Sequence, residues 1–173
     1  WEYADNEIHI TADVAFGIVH YVRSSGDEKF LFDKGMEVLL ETAAFWTDRA
    51  DRGRDGRYHL INVMGPDEYS PMTRDNGFTN YMVKYSLETA LEMLEFVKDR
   101  RPERYTELLD LTGVSKEDLE KFREIAESLP IPYDEKRVLY LQSADFEDYA
   151  EIDMESLWED KRRAFGHYAS QEK

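Results

Sequence analysis

The residues best suited to chemistry lie in one stretch, "VMGPDEYSPMTRDNGFTN", at positions 63–80. Two adjacent carboxylates, Asp67 and Glu68, follow the chain-breaking pair Gly65 and Pro66. One interpretation is a plain surface turn, because Gly and Pro form turns and acidic residues are common in this chain. The other is a general acid, a carboxyl group that donates a proton to a departing oxygen.

Several features of this loop favour a functional role over a plain turn. The loop follows an apolar, strand-like run at 58–64, so it leaves from the core rather than from the surface. It continues to a helix predicted near Thr79, and long structured loops are often functional. It also concentrates aromatic, amide and charged groups that suit a sugar: Tyr69, Arg74, Asp75, Asn76, Phe78, Asn80 and Tyr81.

The elements that must position this loop are predicted to be helices. Apolar residues recur at intervals of three and four, which is typical of helices with one buried face. The first two predicted stripes consist of Ile8, Ala12, Ala15, Ile18, Val19 and Val22, and of Met36, Leu39, Leu40, Ala43 and Trp46. A third helix is predicted from Thr79 or Asn80, with Leu87, Ala90, Leu91, Leu94 and Val97 facing inward, and Pro102 ends it.

Local signals mark further boundaries. Gly26 is predicted to end the first helix in a left-handed conformation, and Asp27 to cap the next. Ser115 and Asp118 resemble a capping box that opens another helix. Short strands are predicted at "YHLINVM" and "RVLYLQS", and the tail from Met154 is predicted as helical or irregular.

Composition narrows the class of protein. The 173 residues suit one domain, and the net charge of −16 argues against nucleic acid and against an anionic membrane surface. No apolar run approaches the roughly 18 residues that span a bilayer. The absence of cysteine fits a reducing compartment, so we expect a cytoplasmic protein. Because the chain begins at Trp1, we expect a piece of a larger protein.

Paired helices with long loops that carry short strands predict an α-hairpin array or an α/α toroid. The segments "HITADVAFGIVHYVRSSGDEKFL", "LLETAAFW" and above all "GPDEY…DNGFTN" resemble the disaccharide phosphorylases of glycoside hydrolase family 65. The resemblance covers residues 1 to about 100 well and the ending "FGHYASQEK" more faintly. It implies an all-α fold, in which residues 1–173 form part of an (α/α)6 barrel with short strands in its loops.

The same resemblance implies a reaction. Glu68 is expected to protonate the glycosidic oxygen while inorganic phosphate attacks the anomeric carbon from the opposite face. The expected partners are an α-linked disaccharide or glucosylglycerol-type molecule and phosphate as co-substrate. No cofactor and no metal are expected, and a homodimer is one possible oligomeric state. Asp67, Tyr69, Asn76 and Asn80 are candidate substrate-binding residues, although Tyr69 and Asn76 fit loop bracing equally well.

A general acid must stay protonated near neutral pH, so the pKa of Glu68 is expected to be raised. Burial among apolar neighbours and the like charge of Asp67 are the expected causes. One departure from the family pattern concerns specificity: maltose and trehalose phosphorylases usually carry His after the Gly-Pro-Asp-Glu-Tyr motif, where this chain has Ser70. This difference argues against maltose or trehalose and leaves nigerose, kojibiose or glucosylglycerol open.

Two alternatives to a phosphorylase remain. An acid-trehalase-like hydrolase of the same architecture would use water instead of phosphate, and a non-catalytic helical module would use the acidic loop for binding. The four histidines, His9, His20, His59 and His167, show no zinc-like spacing and are predicted to be polar or packing residues. We expect residues 1–173 to be inactive in isolation and prone to associate through open helix faces.

Overall fold

The computed structural model describes residues 5–149. Its α-helices run over Ile10–Ser25 (α1), Glu28–Phe30 (α2), Met36–Arg49 (α3), Gly77–Arg100 (α4), Pro102–Thr112 (α5) and Lys116–Ser128 (α6). A π-helical turn at Leu31–Gly35 joins α2 to α3, and a 3-10 turn spans Phe146–Asp148. Two antiparallel hairpins pair β1 (Asp51–Arg52) with β2 (Tyr58–His59) and β3 (Tyr133–Asp134) with β4 (Leu139–Tyr140).

Helix α4 lies at the centre of the described residues, where it contacts α1, α3, α5 and α6. It can do so because apolar side chains recur along it at helical spacing and become buried: Val83, Leu87, Ala90, Leu94 and Val97. Each fully buried aliphatic side chain contributes roughly 1.5–3 kcal/mol to folding. This helix therefore fixes the loop that leads into its first turn.

The predicted apolar stripes are confirmed. In α1 the buried residues are Ala12, Ala15, Val19 and Val22, and Ile18 is partly buried. Ile8, which precedes α1, is partly buried against the same core. In α3 the whole predicted stripe, from Met36 to Trp46, is inaccessible to solvent. The third stripe is buried except for Leu91, which is partly buried.

Several predicted helix boundaries are also confirmed. Gly26 ends α1 with a left-handed φ of 71°, and the Asp27 side chain accepts a hydrogen bond from the Phe30 N–H. Ser115 and Asp118 form both hydrogen bonds of a capping box at the start of α6. These signals were readable because each cap is built from residues close together in the chain.

Two helix predictions need correction. Helix α4 begins at Gly77 rather than at Thr79 or Asn80, because the Asn76 side chain caps it by accepting from the Thr79 N–H. Pro102 follows the end of α4 and is also the first residue of α5, a helix that was not predicted from the sequence. Proline suits the first helical position because its missing N–H would have no partner there.

The strand predictions are confirmed in part. Within "YHLINVM" only Tyr58–His59 forms a strand, which pairs with the unforeseen β1, and Val63 forms an isolated bridge to Thr73. Within "RVLYLQS" the strand is Leu139–Tyr140. The predictions for His167 and for the tail from Met154 lie outside the described residues. Across residues 5–149, none of the helices is long and apolar enough to cross a membrane.

Candidate active site

The loop that carries Asp67 and Glu68 is closed at its base. Val63 and Thr73 exchange two backbone hydrogen bonds, with N···O distances of 3.1 and 2.9 Å, and the Thr73 hydroxyl also donates to the Val63 carbonyl. Val63, Met64 and Thr73 are fully buried. The expectation that this loop leaves from the core is therefore confirmed.

His9 fastens the base of the loop to the start of α1. Its Nδ1 lies 3.2 Å from the Met64 carbonyl oxygen, and its ring meets the Phe78 ring edge-on with centroids 5.5 Å apart. The His9 side chain is buried. This arrangement matches the packing role predicted for the residue.

The loop requires a residue without a side chain at position 65, where the sequence has glycine. A Cβ atom at this position would lie 2.5–2.7 Å from the side-chain amide of Asn76. Real contacts of that kind do not occur, so either the loop or the amide would have to move. The glycine therefore allows the turn to pass directly over the residue that caps α4.

Asp67 organises the turn at the loop tip. Its carboxylate accepts hydrogen bonds from the Tyr69 N–H (3.1 Å), the Ser70 hydroxyl (3.0 Å) and the Gln142 side-chain amide (2.6 Å). Partial burial acts to raise the pKa of Asp67, but these three hydrogen bonds outweigh it and hold that pKa below its usual value. Asp67 is thus ionised at neutral pH, and its carboxylate braces the turn and contacts Gln142. Its role in substrate binding stays a prediction.

Glu68, the predicted proton donor, lies exposed at the tip of this turn. Within residues 5–149, its carboxyl group has no hydrogen-bond or ion-pair partner, and these residues do not bury it. The apolar burial expected around the acid is therefore not supplied by the described part of the chain. The assignment of Glu68 as general acid stays a prediction.

The other candidate residues divide into exposed and structural ones. The Tyr69 ring is exposed, whereas Asn76 and Asn80 are buried. Asn76 accepts from both the N–H and the hydroxyl of Thr79, and Asn80 donates to Asp75 (3.1 Å) and to the Pro130 carbonyl (2.7 Å). These contacts give both asparagines a bracing role.

An ion pair between the partly buried His59 and the buried Asp75 was not predicted. His59 Nδ1 donates to the Asp75 carboxylate at 2.7 Å, and the other oxygen of Asp75 accepts from the Leu60 N–H at 3.1 Å. The hydrogen bond to Asp75 is the main reason why the pKa of His59 is raised, with a further contribution from Asp55. The pair joins β2 to Asp75, two residues before α4, so it holds the far end of the loop.

Gln142 is a second residue near this loop that was not predicted from the sequence. It lies 75 positions along the chain from Asp67, and its proximity to Asp67 has no local sequence signal. Together with Pro66, Asp67, Asn76 and Phe78 it lines a hollow of about 270 Å³ beside the loop tip. Ligand sites usually measure about 300–1,000 Å³, so this hollow is slightly smaller than a typical ligand site.

The described residues contain no cluster of three or more His, Cys, Asp or Glu side chains that could hold a metal ion. What the loop offers chemically is a carboxyl that is unpaired among residues 5–149, on a fastened turn next to a hollow lined by amide, carboxylate and aromatic groups.

A mostly helical fold with this acidic loop defines a known class. The chain belongs to glycosyl hydrolase family 65, because the model of the family's central catalytic domain matches residues 1–172. The predicted family is thereby confirmed, and so is the fold class, an all-α structure that is part of an (α/α)6 barrel.

Individual relatives share this likeness along most of the chain. It is 37% identical over 146 residues to a kojibiose phosphorylase of Thermoanaerobacter brockii, covering 84% of this chain and 18% of that protein. It is 32% identical over 157 residues to an α,α-trehalose phosphorylase of the same organism, covering 90% of this chain and 20% of that protein.

The similarity extends to three dimensions. A solved structure described as a candidate kojibiose phosphorylase from the human microbiome superposes with a TM-score of 0.75 at 29% identity. The match covers 84% of this chain and 19% of that one. The chain therefore spans about a fifth of the length of the relatives that it matches.

Proposed function

We propose that residues 1–173 contribute to the (α/α)6 catalytic domain of an inverting α-glucoside phosphorylase, with Glu68 as the proton donor. Glu68 protonates the glycosidic oxygen while phosphate attacks the anomeric carbon from the opposite face. The bond to the leaving oxygen breaks and a bond to a phosphate oxygen forms. The products are β-glucose 1-phosphate and a free sugar or polyol.

The observation that carries this proposal is the Glu68 carboxyl at the tip of a fastened turn, unpaired among residues 5–149, in a chain of this family. A cation at ion-pair distance would favour the charged form of a carboxyl group and oppose its use as an acid. None of the described Lys, Arg or His side chains makes such a pair with Glu68.

One carboxyl group is sufficient for this chemistry. An inverting hydrolase needs a second carboxylate, about 6.5–9.5 Å from the first, to activate water. Phosphate arrives already charged and needs no such base. The reaction therefore requires phosphate as co-substrate and, within this proposal, no metal or organic cofactor.

Two observations favour a kojibiose-type substrate. The kojibiose phosphorylase of T. brockii is more similar to this chain than the trehalose phosphorylase of that organism. Ser70, whose hydroxyl donates to Asp67, also stands where maltose and trehalose phosphorylases usually carry His. A hydroxyl cannot supply the two-ended or cationic hydrogen bonding of an imidazole. We therefore extend the proposal to kojibiose, with nigerose and glucosylglycerol as the next candidates.

A hydrolase of the same architecture is the second candidate, because the matching family is described as one of glycosyl hydrolases. Both functions are tested on the full-length protein that contains this chain. Kojibiose, nigerose, trehalose, maltose and glucosylglycerol are supplied with and without inorganic phosphate, and free sugar and glucose 1-phosphate are measured. Sugar release that does not depend on phosphate contradicts the phosphorylase and supports the hydrolase.

The role of Glu68 is tested separately with Glu68→Gln, which keeps the shape of the side chain but removes the acidic carboxyl proton. General acid catalysis contributes about 10²–10⁴-fold, so we expect kcat to fall by that factor. Glu135→Gln, on the exposed turn between β3 and β4, is the matched control and is expected to retain wild-type turnover. Unchanged turnover by Glu68→Gln would instead favour a non-catalytic loop.

A further inference from the structure

We propose that Gln142 is a positioning residue for the general acid, and that it acts on Glu68 through Asp67. This inference rests on the proposed function, because it presumes that Glu68 donates the proton. Nothing in the resemblance assigned a role to residue 142. The inference comes from one contact between two parts of the chain that are distant in sequence.

The turn that carries Glu68 has few ties of its own. Inside the turn, the Ser70 N–H donates to the Asp67 carbonyl at 3.2 Å, and Tyr69 and Ser70 donate to the Asp67 carboxylate. These bonds fix the shape of the turn but not its place on the protein. Among the hydrogen bonds of residues 5–149, the one that ties residues 66–72 to a distant segment is the 2.6 Å bond from Gln142 to Asp67.

Gln142 is itself firmly held by its backbone. Its carbonyl accepts from the Gly77 N–H at 2.8 Å, at the first residue of α4, and the next-but-one N–H, that of Ala144, donates to the Arg74 carbonyl at 3.0 Å. A Cβ atom on Gly77 would lie 2.6 Å from the Leu141 carbonyl oxygen, so this close approach requires glycine. Residue 142 is thus anchored to the start of the central helix.

The bond that Gln142 makes to Asp67 is of the strong kind. Asp67 is ionised, and a hydrogen bond to a carboxylate is shorter and roughly twice as strong as one between neutral groups. The Gln142 amide is neutral, so its hydrogen bond to Asp67 adds no positive charge that would favour ionisation of a neighbouring proton donor. Since Glu68 directly follows Asp67, any displacement of Asp67 moves the acid as well.

The consequence for catalysis is geometric. A misplacement of about 1 Å at a reacting group can cost on the order of 100-fold in rate. Removing the Gln142 amide leaves the turn intact but frees it from α4, so proton donation should suffer more than substrate or phosphate binding.

The experiment uses the full-length protein and two glucosyl donors. The first is the disaccharide identified as substrate in the phosphate test, whose leaving oxygen must be protonated. The second is α-glucosyl fluoride with inorganic phosphate: the C–F bond breaks, a C–O bond to phosphate forms, and fluoride departs without a proton. A loss confined to the first donor therefore reports on the acid.

For Gln142→Ala we expect kcat on the disaccharide to fall by roughly 10- to 100-fold, with the KM for phosphate unchanged. On α-glucosyl fluoride we expect kcat to stay within a factor of about three of wild type. Gln142→Glu should lose at least as much on the disaccharide, because it places one carboxylate against another.

A rescue variant separates positioning from general damage. In the double variant Asp67→Asn with Gln142→Glu, the amide and the carboxylate exchange places and the bond between them can form again. We expect this variant to be faster on the disaccharide than Gln142→Glu alone. Glu135→Gln again serves as the neutral control.

The outcomes are distinct. Wild-type turnover of the disaccharide by Gln142→Ala overturns the inference, and so does an equal loss on both donors. Wild-type turnover by Glu68→Gln, in contrast, refutes the proposed function itself, whatever Gln142 does.

Discussion

Gly65→Ala is the substitution for which the structure gives the most direct expectation. The new methyl group would lie 2.5 Å from Nδ2 and 2.6 Å from Oδ1 of Asn76. Asn76 cannot give way without loss, because its side-chain oxygen caps α4 by accepting from the Thr79 N–H at 3.1 Å. The substitution is therefore expected to destabilise both the loop and the start of α4.

The magnitude follows from those two effects. Overpacking a filled core costs about 1–3 kcal/mol, and the loss of an Asn cap typically costs about 1 kcal/mol. We expect the local stability at the start of α4 to fall by about 2–4 kcal/mol. Since about 1.4 kcal/mol is a factor of ten, the Thr79 amide should exchange its hydrogen roughly 30- to 700-fold faster.

The assay is amide hydrogen exchange on the full-length protein, read at residues 76–84. Gly17→Ala is the matched control: a Cβ at Gly17, on the exposed face of α1, meets no atom within 4 Å. Alanine there should stabilise the helix by about 0.5–1 kcal/mol. If Gly65→Ala exchanged no faster than this control, the crowding argument would be wrong. The double variant Gly65→Ala with Asn76→Ala should cost less than the sum of its parts, because the clash is removed.

Two further predictions concern the ion pair and the isolated chain. His59 has a raised pKa, so its contribution to stability is present in full below the ordinary value of 6.5 and is lost as the pH rises through the folded-state pKa. The melting-temperature difference between wild type and His59→Gln should therefore be larger at about pH 5.5 than at about pH 8.5; a difference independent of pH would contradict this. Residues 1–173 alone should release no glucose 1-phosphate from kojibiose in the presence of phosphate, and detectable phosphorolysis would show that they contain a complete site.

Much of the helical framework could be predicted because it is encoded locally. The stripe in α3 and the capping box at Ser115 each depend on residues within a few positions of one another. The start of α4 was misplaced for a related reason: several residues there can cap a helix, and Gly77 is a poor helix former. Only the packing of Gly77 against Leu141 shows why a glycine opens this helix.

Of the candidate site, only the acidic turn could be located from the sequence. The adjacent carboxylates after Gly65 and Pro66 are visible there, and the role of Glu68 stays a prediction. The burial of Asn80 was not visible, because the Pro130 carbonyl that its amide meets lies 50 residues away along the chain. Gln142 is 75 positions from Asp67, so their contact depends on tertiary structure alone.

The contrast between the base and the tip of the loop bears on how a general acid can work. The Val63–Thr73 bridge, the Asp75 contacts and the Gln142 bond fix the backbone before any substrate arrives. The Glu68 side chain stays unpaired among the described residues, and ordering a glutamate costs up to about 2 kcal/mol of rotamer entropy. That cost is small compared with the backbone entropy that the whole loop has already lost on folding, at about 1–2 kcal/mol for each of its residues. In the proposed role, a carboxyl held in this way can turn toward a substrate oxygen without moving the loop, which is the freedom that a proton donor needs between its protonated and ionised states.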